Sequence, residues 1–361
     1  MEKIKVNLDK KSYFIYLNYP LTKIGTKIKD KNIGNKIVIL SDENIYSIYG
    51  KIVKESVEKR GKKVNEIIIK QGEKEKNFKT VIKIVKDLVN FNINRDDLIL
   101  NLGGGVISDI GGFVASIYMR GIKYVNLPTT LLAQVDASIG GKTGINLEEG
   151  KNLVGSFYQP YFVYIDLNTL SSLPYSEIKQ GISEIIKYGV IKNKKIIEKL
   201  EQTEPEQIKN EYEFLIGESI KIKVSVVEKD EKEEKGLREI LNFGHTLGHG
   251  IEISDVGKFS HGDAVCLGMI GESYISYKLG IGEKEICQRI KNLGRKFQLL
   301  NSFDKINFDK IMNFLRHDKK VRKGKLRFVL PEKIGKVKIG VELEENEVLK
   351  ILKEMQKNGE N

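Results

Sequence analysis

Two histidines, His245 and His249, stand one helical turn apart in NFGHTLGHGIEI (242–253), in a chain that holds only four histidines. In a helix, residues i and i+4 project to one face. Two imidazoles so placed suit either two zinc ligands or one ligand beside a proton shuttle. A third histidine, His261, follows in FSHGDAV (259–265), and GISEIIKYG (181–189) sets Glu184 and Lys187 on one helical face. A glutamate, two histidines and an open position compose a catalytic zinc site. Spacing alone leaves open which two histidines would bind the metal. Lys223, Arg238 and Asn242 precede His245, and HDKKVRKGKLRFVLP (317–331) offers Lys319 and Lys320. Such groups make the charge-assisted contacts required by a substrate with both carboxylate and phosphate.

A second set lies earlier. LILNLGGGVISD (98–109) places three glycines directly after a buried strand, where backbone can approach a phosphate and the next helix N-terminus favours an anion. This reads as a pyrophosphate loop, although it is not GxGxxG: Ser108 stands at the third glycine position counted from Gly103. LSDEN (40–44) ends an earlier strand with Asp42, a partner for a ribose hydroxyl, and the two features together point to a dinucleotide. In PTTLLAQVDASIGGKTGINLEEGKNLVGSFYQP (128–160), Asp136, Lys142, Lys151 and Asn152 fall among glycines and small residues. That texture suits a pocket for an anionic substrate and is poor for a simple helix or strand.

The elements that must position these groups follow from periodicity. NKIVILSDENI (35–45), VNEIIIKQGE (64–73), DDLILNLGGG (96–105) and KYVNLPTT (123–130) read as strands, with helical patterns such as NFKTVIKIVKDLVNF (77–91) between them. This succession predicts a parallel sheet with helices on both faces. From about residue 176 apolar residues recur at spacings of three and four, and the second half reads as almost wholly helical. The boundary falls at SSLPYSE (171–177), dividing the chain into 1–175, an α/β nucleotide-binding domain, and 176–361, a helical metal- and substrate-binding domain. Domains joined this directly are expected to place the active site in the cleft between them.

The net charge of +12 comes from lysines scattered through every segment and interleaved with glutamates, a solvated basic surface with no nucleic-acid groove. No apolar run reaches the roughly 18 to 20 residues that span a bilayer, and MEKIKVNLDKK lacks the apolar middle of a signal peptide. The expectation is a cytoplasmic protein without membrane contact. Cys266 and Cys287 lack CxxC spacing and read as reduced, buried thiols.

GGGVISDIGGFVASIYMRGI, LPTTLLAQVDASIGGKTGIN, GKNLVGSFYQP, EIIKYGVI, LREILNFGHTLGHGIE and HGDAV resemble the successive signature blocks of the 3-dehydroquinate synthases of the shikimate pathway, in the family's order from about residue 35 to 331. The resemblance implies a Rossmann-like N-terminal domain, a mainly α-helical C-terminal domain, NAD, and a divalent metal, zinc with cobalt as a substitute. It implies conversion of 3-deoxy-D-arabino-heptulosonate 7-phosphate to 3-dehydroquinate and phosphate, through transient oxidation, phosphate elimination, reduction, ring opening and an intramolecular aldol closure.

By the same resemblance the metal ligands are Glu184, His245 and His261, leaving His249 for acid–base work or phosphate contact. Asp136, Lys142, Lys187, Arg238 and Asn242 join His249 in catalysis. Asn152, Lys223 and one of Lys319 and Lys320 contact substrate, and Arg120 is donated across a homodimer interface. NAD is held by Asp42, Asn44, Glu73, Lys76, Gly104, Gly105, Val106, Asp109, Thr129, Thr130, Lys142 and Lys151. The chain departs from the pattern at Ser108, where the family has glycine, and in EKDEKEEKGLR (228–238), one residue longer than usual, which blurs any role for Glu233 and Glu234. The rival readings are another NAD- and metal-dependent sugar-phosphate cyclase and a metal-dependent polyol dehydrogenase.

Overall fold

The computed structural model describes residues 1–254, 259–300, 302–304, 306–317 and 325–357. The chain forms two compact units, Met1–Pro174 with Lys223–Lys232, and Tyr175–Ile222 with Glu233–Asn361.

In the first unit, β3 (Lys36–Asp42) sends Ile37 and Ile39 into one apolar cluster and Val38 and Leu40 into another, because successive side chains of a strand point to opposite faces. A strand apolar on both faces must be covered on both. Ile24 and Ile28 of α1 (Ile24–Asp30) and Val53 and Val57 of α3 (Lys51–Glu58) pack in one cluster. Val81, Ile84 and Leu88 of α4 (Phe78–Asn90) and Ile107, Ile110 and Phe113 of α5 (Gly105–Ile117) pack in the other. The seven-stranded sheet runs β1 (Glu2–Val6), β2 (Tyr13–Leu17), β9 (Phe162–Ile165), β6 (Lys123–Pro128), β5 (Leu98–Gly103), β3 and β4 (Lys63–Ile69). Every neighbouring pair is parallel except β1 with β2, an edge hairpin that the periodicity did not reveal.

The chain leaves β3 for β4 on one side and then returns to β5 on the other. The carboxyl ends of β3 and β5 therefore flank a topological switch point, where open α/β sheets bind ligands. Asp42 ends β3 and caps the short α2 (Glu43–Ile45); Gly103 ends β5.

Two expectations need correction. The stretch judged poor for a strand contains β7 (Lys142–Leu147) and β8 (Gly150–Phe157), paired antiparallel. Its glycines serve close pairing: a Cβ on Gly155 would lie 2.1 Å from the Thr143 carbonyl oxygen. A division at 175/176 also assigns residues 223–232 to the second part, whereas they cluster with the first. There the Glu228 carboxylate accepts from Asn7 N at 2.7 Å and Glu231 from Gln159 Nε2 at 3.1 Å.

The second unit contains α6 (Tyr175–Ile191), α7 (Lys194–Gln202), most of α8 (Tyr212–Val227), α9 (His245–Ser254), α10 (His261–Lys278), α11 (Lys284–Lys296), α12 (Phe308–His317) and α13 (Glu345–Lys357). It is not wholly helical, because β10 (Lys325–Lys333) and β11 (Lys336–Glu344) form a hairpin. Their period-2 alternation was masked by the density of lysines. Helix α10 is buried from Gly262 to Ser276. It approaches the α9 turn so closely that a Cβ on Gly268 would lie 1.9 Å from the Gly244 carbonyl oxygen.

Candidate active site

Three elements of the second unit converge on one buried carboxylate. Glu184 projects from α6 and is 1% exposed. His245 opens α9 and His261 opens α10. Glu184 Oε1 lies 3.3 Å from His245 Nε2 and 3.2 Å from His261 Nε2, and one donor atom from each residue falls within 4.8 Å of the others. Ligands about 2.0–2.1 Å from a tetrahedral zinc stand about 3.3 Å apart, so these donors fit a divalent ion. The second ring nitrogens are also oriented, His245 Nδ1 donating to the Phe243 carbonyl at 3.1 Å and His261 Nδ1 lying 3.6 Å from Glu252 Oε2. Such outer partners set the tautomer that leaves Nε2 for the metal.

The electrostatics suit a cation. Burial alone would raise the Glu184 carboxyl, but Lys187, which ion-pairs with its Oε2, together with His245 and His261 holds it well below the usual range. Burial, helped by Lys187, pushes His245 down against the pull of Glu184. Burial also acts downward on His261, yet Glu184 and Glu252 outweigh it and raise this imidazole to about 9. His249 stacks edge-on to His245 with ring centroids 5.4 Å apart.

A capping pair missed by the sequence reading fixes the start of α10. Ser260 Oγ accepts from Asp263 N at 3.2 Å and donates to Asp263 Oδ2 at 2.6 Å, while Lys179 of α6 holds Asp263 Oδ1 at 3.1 Å. Ser-x-x-Asp before an apolar run was the available signal. Arg238, fully buried, lies in the 3₁₀ segment Leu237–Asn242, with Glu233 Oε1 3.7 Å from its Nε; Asn242 ends that segment. Lys319 and Lys320 lie outside the described residues.

In the first unit, Gly104 caps α5 without any side-chain oxygen, leaving the first backbone N–H groups of the helix for an anion. A Cβ on Gly104 would meet Thr130 Cγ2 at 3.1 Å, and one on Gly105 would meet Ala137 Cβ at 3.3 Å, so both glycines keep this end of the helix open. Val106 follows in the first turn. Thr129 N donates to the Gly103 carbonyl, while the buried Thr129 Oγ1 has no hydrogen-bond partner among the described residues. An orphaned hydroxyl beside this turn fits a cofactor group.

The Asp42 carboxylate accepts from Asn44 N at 3.1 Å and Ile45 N at 3.0 Å; burial raises its pKa against these N–H groups. Lys76, almost fully buried, donates to Asp109 Oδ2 and to Asn152 Oδ1, each at 2.5 Å, with Glu73 at 4.0 Å. Burial raises the Asp109 carboxyl, opposed by Lys76. The structure therefore joins Asn152, expected at the substrate, to Lys76, Asp109 and Glu73, expected at the nucleotide. Lys223 Nζ bonds both Asp136 Oδ1 at 2.8 Å and the Asp136 carbonyl at 2.6 Å. Lys142 opens β7 and Lys151 lies near the start of β8, both exposed. Arg120 is exposed, in the left-handed region at φ 65°.

A mostly parallel sheet with a glycine-rich turn at its switch point, and a buried Glu–His–His cluster in a helical unit, fit a sugar-phosphate cyclase. The structure is similar to a crystal structure of 2-deoxy-scyllo-inosose synthase complexed with carbaglucose-6-phosphate, NAD+ and Co2+, with TM-score 0.89 and 25% identity, over 98% of this chain and 100% of that one. The 3-dehydroquinate synthase N-terminal model matches residues 66–180 and the 3-dehydroquinate synthase C-terminal model residues 181–321. The 3-dehydroquinate synthase of Dictyoglomus thermophilum is 44% identical over 98% of both chains, and that of Thermodesulfovibrio yellowstonii 42% identical over 98% of this chain and all of its own. The chain belongs to the 3-dehydroquinate synthase family.

Proposed function

We propose that the chain converts 3-deoxy-D-arabino-heptulosonate 7-phosphate to 3-dehydroquinate and phosphate, as a carbon–oxygen lyase dependent on NAD and on zinc, with cobalt as a substitute. The observation that carries the metal requirement is the convergence of His245 and His261 on Glu184 at 3.2–3.3 Å. When bound, NAD supplies a reversible hydride acceptor and the metal polarises the hydroxyl being oxidised.

The chain's own residues then bind, orient and shield. Glu184, His245 and His261 hold the metal. The open N-terminus of α5 takes the pyrophosphate, with Asp42 near the ribose and Thr129, Thr130, Lys76 and Lys151 around the nucleotide. Lys223 and Arg238 suit a substrate carboxylate, a group that separates this substrate from those of other cyclases. Lys142, Arg120 and one of Lys319 and Lys320 neutralise phosphate, Asn152 hydrogen-bonds to the substrate, and His249 moves a proton at its imidazole. The departing phosphate can accept the acidified ring proton, so much of the catalytic contribution is positioning and charge complementarity. On this reading the enzyme works in the cytoplasm as a homodimer, with Arg120 presented to the partner subunit; light scattering of native protein and of Arg120→Ala tests the assembly.

The decisive assay supplies purified protein with substrate, catalytic NAD and zinc or cobalt. Phosphate and 3-dehydroquinate appearing together without accumulating NADH is the expected result. Stoichiometric NADH would favour a polyol dehydrogenase, and no turnover by metal- and NAD-loaded protein would overturn this substrate in favour of another sugar phosphate.

A further inference from the structure

We propose that Glu272 is the positioning residue that holds the His245 turn in its metal-binding conformation. The inference rests on the metal reading above. Glu272 is fully buried on α10 and does not belong to the Glu–His–His cluster. Its Oε2 accepts from Gly244 N at 2.7 Å, and its Oε1 accepts from Thr246 N at 3.1 Å and Leu247 N at 3.2 Å. These are the backbone donors on both sides of His245.

The need for such a partner is local. The first N–H groups of a helix have no intrahelical acceptor, and a Ser, Thr, Asp or Asn side chain ordinarily supplies one. The residue before α9 is Gly244, which has no side chain, at φ 78°. A Cβ there would lie 2.4 Å from Met269 Cγ, so close packing against α10 excludes a capping side chain. The carboxylate of Glu272 takes over that role from the neighbouring helix, and its negative charge suits the positive end of α9.

The geometry has a consequence for the metal. Helix α10 begins with His261 and carries Glu272 eleven residues later, about 16 Å along its axis at 1.5 Å per residue. One rigid helix thus carries one ligand and pins the backbone of the other. It sets both imidazoles relative to Glu184 before any ion binds.

The test is metal binding by parent, Glu272→Gln and Glu272→Ala, measured by chelator competition with Zn2+ and by the visible absorption of the Co2+ form. Glutamine keeps the size but turns an NH2 towards Gly244 N–H. Both variants are expected to weaken metal binding roughly 10–100-fold, the range for outer partners of metal ligands, and to alter the Co2+ spectrum. Ile290→Val, a core change on α11, serves as control and is expected to lower stability without moving either readout. Parent-like affinity and spectrum in Glu272→Gln, with only a lowered melting temperature, would overturn the proposal. Hydrogen exchange on the metal-free parent gives an independent check: amides 244, 246 and 247 are expected to be protected already, and exchange that slows only when zinc is added would refute preorganisation. A parent that binds no metal at all would remove the metal reading, and this inference with it.

Discussion

Replacing Lys187 by methionine isolates a buried ion pair in the second unit. The Lys187 and Glu184 side chains are 2% and 1% exposed and ion-paired along α6. Removing one partner of a buried pair leaves an uncompensated charge and costs about 3–5 kcal/mol. Here Lys187 is the foremost of the groups that outweigh burial and keep Glu184 ionised, so that range applies to metal-free protein. A divalent ion held by Glu184, His245 and His261 supplies replacement positive charge, so the loss is smaller in the zinc-loaded protein. At about 2–4 °C per kcal/mol for a folding unit of this size, the melting temperature falls by roughly 6–20 °C without metal. Calorimetry of parent and Lys187→Met at neutral pH, in chelator and in zinc, reads both numbers. A shift of about 2 °C or less in chelator, or the same shift in both conditions, would refute the claim that Lys187 and the metal serve one carboxylate.

The two histidines of α9 separate in a paired experiment: His245→Ala loses metal and turnover together, whereas His249→Ala retains metal and loses roughly 10²–10⁴-fold in kcat; elemental analysis of both proteins decides, and a metal-free His249 variant would reverse the assignment. Gly105→Ala should leave melting within a few degrees, because its Cβ meets only Ala137 Cβ at 3.3 Å and alanine favours helix by up to about 1 kcal/mol. It should nevertheless weaken NAD binding about tenfold or more by calorimetric titration, since the methyl group sits where backbone must approach pyrophosphate. Unchanged NAD affinity would move the nucleotide away from this loop. Burial, aided by Asp263, pushes the Cys266 thiol up to about 12, so the thiolate fraction at pH 7 to 9 is negligible and the native protein should resist thiol reagents at Cys266 until unfolded. Mass spectrometry of labelled peptides checks this, and rapid native labelling at Cys266 would contradict it.

The sequence by itself determined the elements whose signal is local. In β3 and β5 a short run rich in Ile, Val and Leu announces a strand covered on both faces, and in α4, α6 and α10 spacings of three and four announce a helix. The glycine run at 103–105 announces its turn, since only a residue without Cβ lets a ligand reach that backbone. Short segments whose identity depends on a partner were not legible: β1 with β2, β7 with β8 and β10 with β11 are stabilised by cross-strand pairing, which the pattern within either strand does not show. The attachment of residues 223–232 to the first unit was equally hidden, because it rests on contacts with Asp136, Asn7 and Gln159 far away in the chain.

The site divides in the same way. Spacing put His245 and His249 on one helical face but left the metal's histidines undecided, and only family resemblance distinguished them. Tertiary structure decided which nitrogens lie 3.2–3.3 Å from Glu184 Oε1, because His261 reaches that carboxylate from the start of a different helix. It also decided the role of Glu272, which in sequence is one more glutamate in a helix. The bonds it makes are to backbone N–H groups 25 to 28 residues away, and backbone donors carry no residue-specific signal for a reader of the sequence to find.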